Sequence, residues 1–377
     1  MESQEFAQRG EQVRRIAANV MDITDISDAP QHRAGALRLR GYLQRDPETA
    51  YHYIEPRLSN LGYTTLLRQE DDKVSLIALP GRLEAGQSKL WLALLLFALT
   101  ILSTIFVGGN GLVLVALWLQ SGQFVPEAFQ LGLGLAFSAA ILSILLAHEL
   151  GHFLMARHLR VAVSYPFFIP MPISPLGTMG AVIAMKAPPP DRRALLSIAI
   201  AGPLAGLAVA IPVLVLGLSL SEVQSPPPNQ TLLLEGNSLL YAAIKVAVFG
   251  RFLPDGGLDV MLHPVAFAGW VGLLVTGLNL IPAGQLDGGH ILYALVGPRI
   301  ASIVTWVIAV VLLGLGLLWP GWFLWAVLIL VFGQRRAPLL NELTPLTQRQ
   351  QLVALLGLII FVLVFTPAPL TIVEPGL

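Results

Sequence analysis

The sequence predicts an all-α polytopic membrane protein, with about six or seven spans, joined to a small N-terminal α+β unit. Two observations carry that expectation. The 377 residues are 55% hydrophobic and only 12% charged, about half of the roughly 25% charged share of a soluble domain. The charge is also unevenly placed. Of 23 Lys and Arg, 12 lie at or before Lys89, and none lies between Trp91 and Ala156. A soluble region at 1–85 and a transmembrane region at 90–366 follow from that boundary. The formal net charge is zero, so no nucleic-acid footprint is expected. There is no cysteine, which excludes disulfides and thiolate metal sites; any metal ion must be held by His, Asp or Glu. The first 85 residues are polar, so no secretory signal peptide is expected and membrane entry falls to internal spans.

Within residues 1–85 a polar helix is expected at about Glu5–Met21. The alternation from Ala36 to Leu43 reads as a strand. Asp46-Pro47-Glu48 opens a helix, with an acidic first turn and Pro near its first position. Tyr51, Ile54 and Leu58 share one face of it, and Gly62 ends it. Two strands, Tyr63–Arg68 and Lys73–Leu79, are joined by a turn at Glu70-Asp71-Asp72. This β-α-β-β order carries no catalytic constellation and suits a regulatory or docking role.

A span needs about 20 apolar residues. Leu90–Gly108 qualifies, with apolar sequence continuing to Leu119, as do Leu131–Ala147, Leu195–Leu220, Val265–Ile281, Ile300–Leu318 and Leu352–Phe365. Phe323–Phe332 is shorter and pairs with its predecessor across Trp319-Pro320-Gly321. Basic residues of short loops mark the cytoplasmic side. Arg157, Arg160, Lys186, Arg192 and Arg193 follow the second span, and Arg335, Arg336 and Arg349 precede the last. The loop 221–264 holds only Lys245 and Arg251. The far end of the second span, and the N-terminal unit with it, is therefore expected to face the cytoplasm or a stroma.

That end carries His148-Glu149-Leu150-Gly151-His152. Four-residue spacing on a helix puts both imidazoles on one face, about 5–6 Å apart at Cβ, which suits two ligands of one zinc ion. Glu149 is positioned to act as general base toward water and then as proton carrier to a leaving amine. Titratable groups at membrane depth are costly and therefore usually functional. A catalytic zinc needs a third protein ligand. His158 lies six residues after His152, with the wrong phase for the same face. Asp287 lies in Asn279-Leu280-Ile281-Pro282-Ala283-Gly284-Gln285-Leu286-Asp287-Gly288-Gly289, where Pro, Gly and polar groups interrupt an apolar stretch. Irregular backbone at membrane depth must line protein or a cavity. From the residues alone Asp287 reads equally as a ligand or as an ordinary helix N-cap.

The pairing of HExxH with Asn-x-x-Pro…Leu-Asp-Gly on a later helix resembles the site-2 protease family of intramembrane zinc metalloproteases (M50-like). The resemblance covers roughly Leu131–Tyr293, which sets the catalytic core at 131–293. Ala201-Gly202-Pro203-Leu204-Ala205-Gly206 looks like the family's Gly-Pro element. The N-terminal region, His263–Trp270 and Gln285–His290 look most like the chloroplast and cyanobacterial EGY-like branch. The resemblance implies one Zn2+ per chain on His148, His152 and Asp287, with Glu149 activating water. Asn279 would position substrate or stabilise an oxyanion. The substrate would be a membrane protein, cut within or near a transmembrane helix as in regulated intramembrane proteolysis, in a plasma or thylakoid-type membrane. Loop 221–264 is too short for the PDZ domain found in many bacterial members.

A substrate helix must unwind before its peptide bond can be reached, and the unwound chain needs new hydrogen-bond partners. The segment 176–185 follows the Pro-rich 166–175 stretch and combines turn-like glycines with a β-branched run. It is expected to form a short hairpin or re-entrant segment that pairs edge-on with substrate. Gly177, Thr178, Met179, Gly180 and Pro282 are the candidate substrate contacts. Gly202-Pro203 would kink the third span or serve close helix packing. The competing readings are a transporter, which inverted repeats would favour, and a catalytically inactive scaffold.

Overall fold

The computed structural model describes residues 2–29, 35–81, 88–225, 232–333 and 339–373. Arg335 and Arg336, used above for orientation, lie outside the described residues.

Residues 2–80 form two helices on an antiparallel sheet. The elements are α1 (Glu2–Ala17), β1 (Met21–Asp28), β2 (Leu37–Leu43), α2 (Pro47–Asn60), β3 (Tyr63–Glu70) and β4 (Lys73–Pro80). The sheet order is β1-β2-β4-β3. Val13, Leu39, Ile54, Leu58, Leu67 and Leu76 fill the layer between helices and sheet. Asp46 caps α2 by accepting from Thr49 N–H at 2.9 Å, with Pro47 in the first turn, as the Asp-Pro-Glu run predicts. The first strand differs from expectation. The N-terminal helix ends at Ala17, and Met21 begins β1. Asp is depleted in strands, and β1 holds Asp22, Asp25 and Asp28, so its local pattern hid it. Its partner strand supplies the compensation: Asp25 stands opposite Arg40, and their side chains meet at 2.6 Å.

The apolar region follows. Its helices are α3 (Leu90–Gly108), α4 (Gly111–Ser121), α5 (Leu131–His158), α6 (Arg192–Ser219), α7 (Leu239–Phe249), α8 (Pro264–Asn279), α9 (Asp287–Leu315), α10 (Gly321–Phe332) and α11 (Gln348–Val364). The strands among them form three two-stranded ribbons. They are β5 (Phe167–Pro170) with β6 (Thr178–Val182), β7 (Glu222–Gln224) with β9 (Asp259–Met261), and β8 (Leu232–Glu235) with β10 (Leu370–Val373). Among the described residues four helical stretches are long and apolar enough to cross a membrane: Leu90–Gly108, Pro126–His158, Arg192–Ser219 and Asp287–Leu315. The others are apolar but shorter, and α7 within loop 221–264 was not foreseen.

The centre of the bundle is α5, α6 and α8. Ile141, Ile144 and Leu145 of α5 meet Leu207, Ala210 and Leu214 of α6 and Trp270 and Val271 of α8. Small residues let these backbones approach, as expected where lipid supplies no hydrophobic drive between helices. A Cβ on Gly269 would sit 2.6 Å from Leu214 Cα. The last long helix is broken rather than continuous. Gly297 has φ 81° and ψ 179° inside α9, and Pro298 follows it. Glycine reaches that conformation without a Cβ clash, and the residue before proline is biased away from helix.

The sheet is fastened to the bundle through residues 339–344. Leu67 N–H donates to Leu340 O at 2.8 Å, and Leu340 and Asn341 N–H donate to Pro189 and Pro190 O at 3.0 and 2.8 Å. Ion pairs Arg68–Glu342 (3.4 Å) and Arg193–Glu48 (3.0 Å) flank the seam.

Candidate metal centre

The HExxH residues lie in the C-terminal half of α5, and helical spacing alone turns His148 and His152 to the same side. Their ring centroids are 4.9 Å apart, and their Nε2 atoms approach to 3.1 Å. Asp287 is the first residue of α9, reached through the irregular turn 280–286 that follows α8. Its Oδ2 lies 3.2 Å from His152 Nε2 and 3.5 Å from His148 Nε2. The helix-capping position belongs to Leu286, which has no side-chain cap bond. Among the described residues these three form the one group of His, Cys, Asp or Glu arranged to hold a metal ion, with ligand atoms within 4.8 Å of one another.

The donor set fits a catalytic zinc. Two imidazole nitrogens and one carboxylate oxygen converge, and three protein ligands leave one position open. The tautomer of His152 is fixed by its other nitrogen. Nδ1 lies 2.8 Å from Ile198 O, and a carbonyl only accepts, so Nδ1 carries a proton and Nε2 is the ring atom turned toward Asp287 and His148. Such an outer partner orients metal-binding histidines generally.

Helix α6 makes room for the rings. Gly202 and Gly206 are four residues apart, matching the spacing of the two histidines they face. A Cβ on Gly202 would sit 2.5 Å from His152 Cε1 and nearer still to Nε2; one on Gly206 would sit 3.2 Å from His148 Nδ1. The Gly-Pro element therefore packs directly on the ligand pair, and Gly151 of α5 in turn abuts the Ala201 carbonyl.

These groups open onto a cavity of about 190 Å3. Glu149, 8% exposed, lines it. Asn279, the last residue of α8, also lines it and brings Nδ2 within 3.4 Å of His148 Nε2. His158 ends α5 on the exposed surface, away from the group. The end of β6 forms one wall through Ala181 and Val182, continued by Ile183 and Met185 just after the strand. The candidate substrate contacts are distributed differently. Gly177 (φ 70°) packs on α3, where its carbonyl accepts from Ser103 Oγ at 2.6 Å. Thr178 is buried and donates to Ile169 O. Met179 is 67% exposed, Gly180 borders open space, and Pro282 sits in the turn after α8 without lining the cavity. Two polar lining residues, Gln285 and His290, enter the sequence reading only as the ends of the EGY-like run and are given no role in the site there. His290 stands one turn beyond Asp287 on α9; the i, i+3 spacing is the signal that points to it.

The sequence matches Peptidase family M50 over residues 136–317, which spans all the groups just described. It is 31% identical to "Probable zinc metalloprotease EGY2, chloroplastic" of Arabidopsis thaliana over 346 residues, 89% of this chain and 61% of that protein. It is 34% identical to "Probable zinc metalloprotease EGY1, chloroplastic" of the same plant over 310 residues, 75% of this chain and 55% of that protein. The EGY1 protein of Oryza sativa subsp. japonica is 32% identical over 307 residues, 75% of this chain and 52% of that protein. The chain thus spans about half to three-fifths of the length of these relatives. No solved structure matches. Residues 136–317, which contain every residue of the candidate metal centre, are thus a peptidase family M50 domain.

Proposed function

We propose that this chain is a zinc-dependent metalloendopeptidase of the site-2 protease type, cleaving membrane-protein substrates in or near a transmembrane helix. The observation that carries the reading is the convergence of His148 Nε2, His152 Nε2 and Asp287 Oδ2 beside Glu149, on a cavity walled by helices long and apolar enough to cross a membrane. His148, His152 and Asp287 would hold one Zn2+, which when bound polarises a carbonyl and acidifies water. Glu149 takes the proton of the attacking water and delivers it to the leaving amine. Asn279, with its amide already directed into the site, donates to the oxygen that gains charge in the transition state. The wall of β6 offers backbone groups to an unwound substrate, which pairs there as an added strand.

Residues 1–85 act in this reading as a docking or regulatory unit on the same side as the metal centre, and residues 90–366 are embedded in the bilayer as six or seven spans. The basic residues Arg157, Arg160, Lys186, Arg192 and Arg193 around that end of the bundle support a cytoplasmic or stromal orientation. The plant relatives' names, which include "chloroplastic", favour a thylakoid-type over a plasma membrane.

The test is a pair of substitutions in purified protein with a single-span substrate. Glu149→Gln is expected to abolish cleavage while bound zinc stays at wild-type level. Asp287→Ala is expected to lower zinc occupancy itself. Cleavage by the Glu149→Gln protein would refute the base assignment, and full zinc occupancy after Asp287→Ala would move the third ligand elsewhere.

A further inference from the structure

The seam between the N-terminal sheet and the bundle holds a second cavity, of about 480 Å3. It shares no lining residue with the metal centre. Its charged and polar walls come from Gln69 and Asp71 at the β3–β4 turn, Arg192 in the first turn of α6, Arg299 just after the break in α9, and Glu342.

The cationic side of this cavity is electrostatically incomplete. The break at Gly297 gives the helical segment beginning at Pro298 its own N-terminus, and a helix N-terminus is a positive end. Against it lies a guanidinium. Nη2 of Arg192 is 3.1 Å from the point a Gly297 Cβ would occupy. Nε of Arg192 is buried and has no hydrogen-bond partner among the described residues. Arg299 adds a second guanidinium to the same first turn. Cations are unfavourable at a helix N-terminus, and buried donors are normally satisfied. The nearby carboxylates do not resolve this. Glu342 is engaged by Arg68 at 3.4 Å, and Asp71 at the hairpin turn makes no ion pair among the described residues.

We infer that this cavity binds a phosphate-bearing anion, held by Arg192, Arg299 and the N-terminal end of the Pro298 segment. Planar guanidinium forks match phosphate oxygens, and helix N-termini receive phosphate without further help. The phosphate can belong to a lipid headgroup, since the cavity includes Arg192, the first residue of the apolar helix α6, or to a soluble ion or ester. Its binding would join the β3–β4 hairpin to α6 and α9, the two helices that carry Ile198, Gly202 and Asp287.

The experiment uses the full-length protein in two arms. One measures equilibrium binding of radiolabelled inorganic phosphate in detergent. The other measures phosphatidylglycerol against phosphatidylcholine retained from nanodiscs, by native mass spectrometry. Saturable binding is expected in one arm, weakened about tenfold or more by Arg192→Gln and by Arg299→Gln, since hydrogen bonds to charged groups are strong. The arm that responds identifies the source. Arg299 is exposed, so its variant carries the test if Arg192→Gln does not fold. Binding unchanged in the variants, or absent from both arms in the wild type, overturns the inference.

Discussion

Gly202→Ala is the most direct probe of how the metal centre is built, because it adds one methyl and removes no ligand. The new Cβ would sit 2.5 Å from His152 Cε1 and closer to Nε2, whereas ordinary contact begins near 3.4 Å. The ring must therefore retreat by about 1 Å. It has little freedom to do so. Nδ1 is held by Ile198 O, one turn earlier on the same helix as Gly202, so moving the ring strains or breaks that bond. Overpacking of this kind costs about 1–3 kcal/mol of stability. Disturbing an outer partner of a metal-binding histidine lowers metal affinity about 10–100-fold, and a displacement of 1 Å can cost about 100-fold in rate. Zinc affinity by chelator competition and cleavage of a single-span substrate are therefore both expected to fall by those factors. Gly314→Ala is the control. It lies in α9 with nothing within 4 Å of its Cβ position, so it should leave zinc binding unchanged and raise stability by up to about 1 kcal/mol. A Gly202→Ala protein with wild-type zinc affinity and rate would refute the packing argument.

Two further outcomes concern the N-terminal unit. Asn341 is 2% exposed; its Oδ1 accepts from Leu343 N–H and its Nδ2 donates to Thr344 Oγ1. Asn341→Leu is expected to cost about 1–3 kcal/mol through these orphaned groups and to speed limited proteolysis of residues 2–80; an unchanged digestion rate would show that the sheet is fastened elsewhere. The hydroxyl of Thr49, with its N–H, holds the Asp46 carboxyl below its usual range. A depressed carboxylate stabilises above its unfolded value and loses that contribution as pH falls through the folded one. Thermal unfolding between pH 5 and 3 should therefore lose less stability in Asp46→Ala than in wild type, and parallel curves would count against the cap.

Much of the local structure was legible in the sequence because it rests on local physics. The Asp46-Pro47 start of α2, the β3–β4 hairpin and the placement of His148 and His152 on one helix face follow from spacing and capping chemistry within a few residues. What was missed needed a distant partner. Strand β1 carries three aspartates and is stabilised by Arg40 across the pair. The break at Gly297 could be read only as a span starting near Ile300. Gly202-Pro203 read equally as a kink or as a close helix contact until α5 was laid against it.

The sequence by itself determined the class of protein and placed two of the three candidate metal ligands on one helix face. A chain with so few charges and no cysteine leaves only His, Asp and Glu to hold a metal, and helical periodicity aligns two of them. The third required the fold. Asp287 at the start of a helix is chemically indistinguishable from a capping residue when viewed along the chain. Only the packing of α5, α6 and α8, allowed by glycines at their contacts, brings its carboxylate to the two imidazoles 135 and 139 positions away (287 − 152 and 287 − 148). Ligand geometry is set by distances across the bundle, and those have no local code.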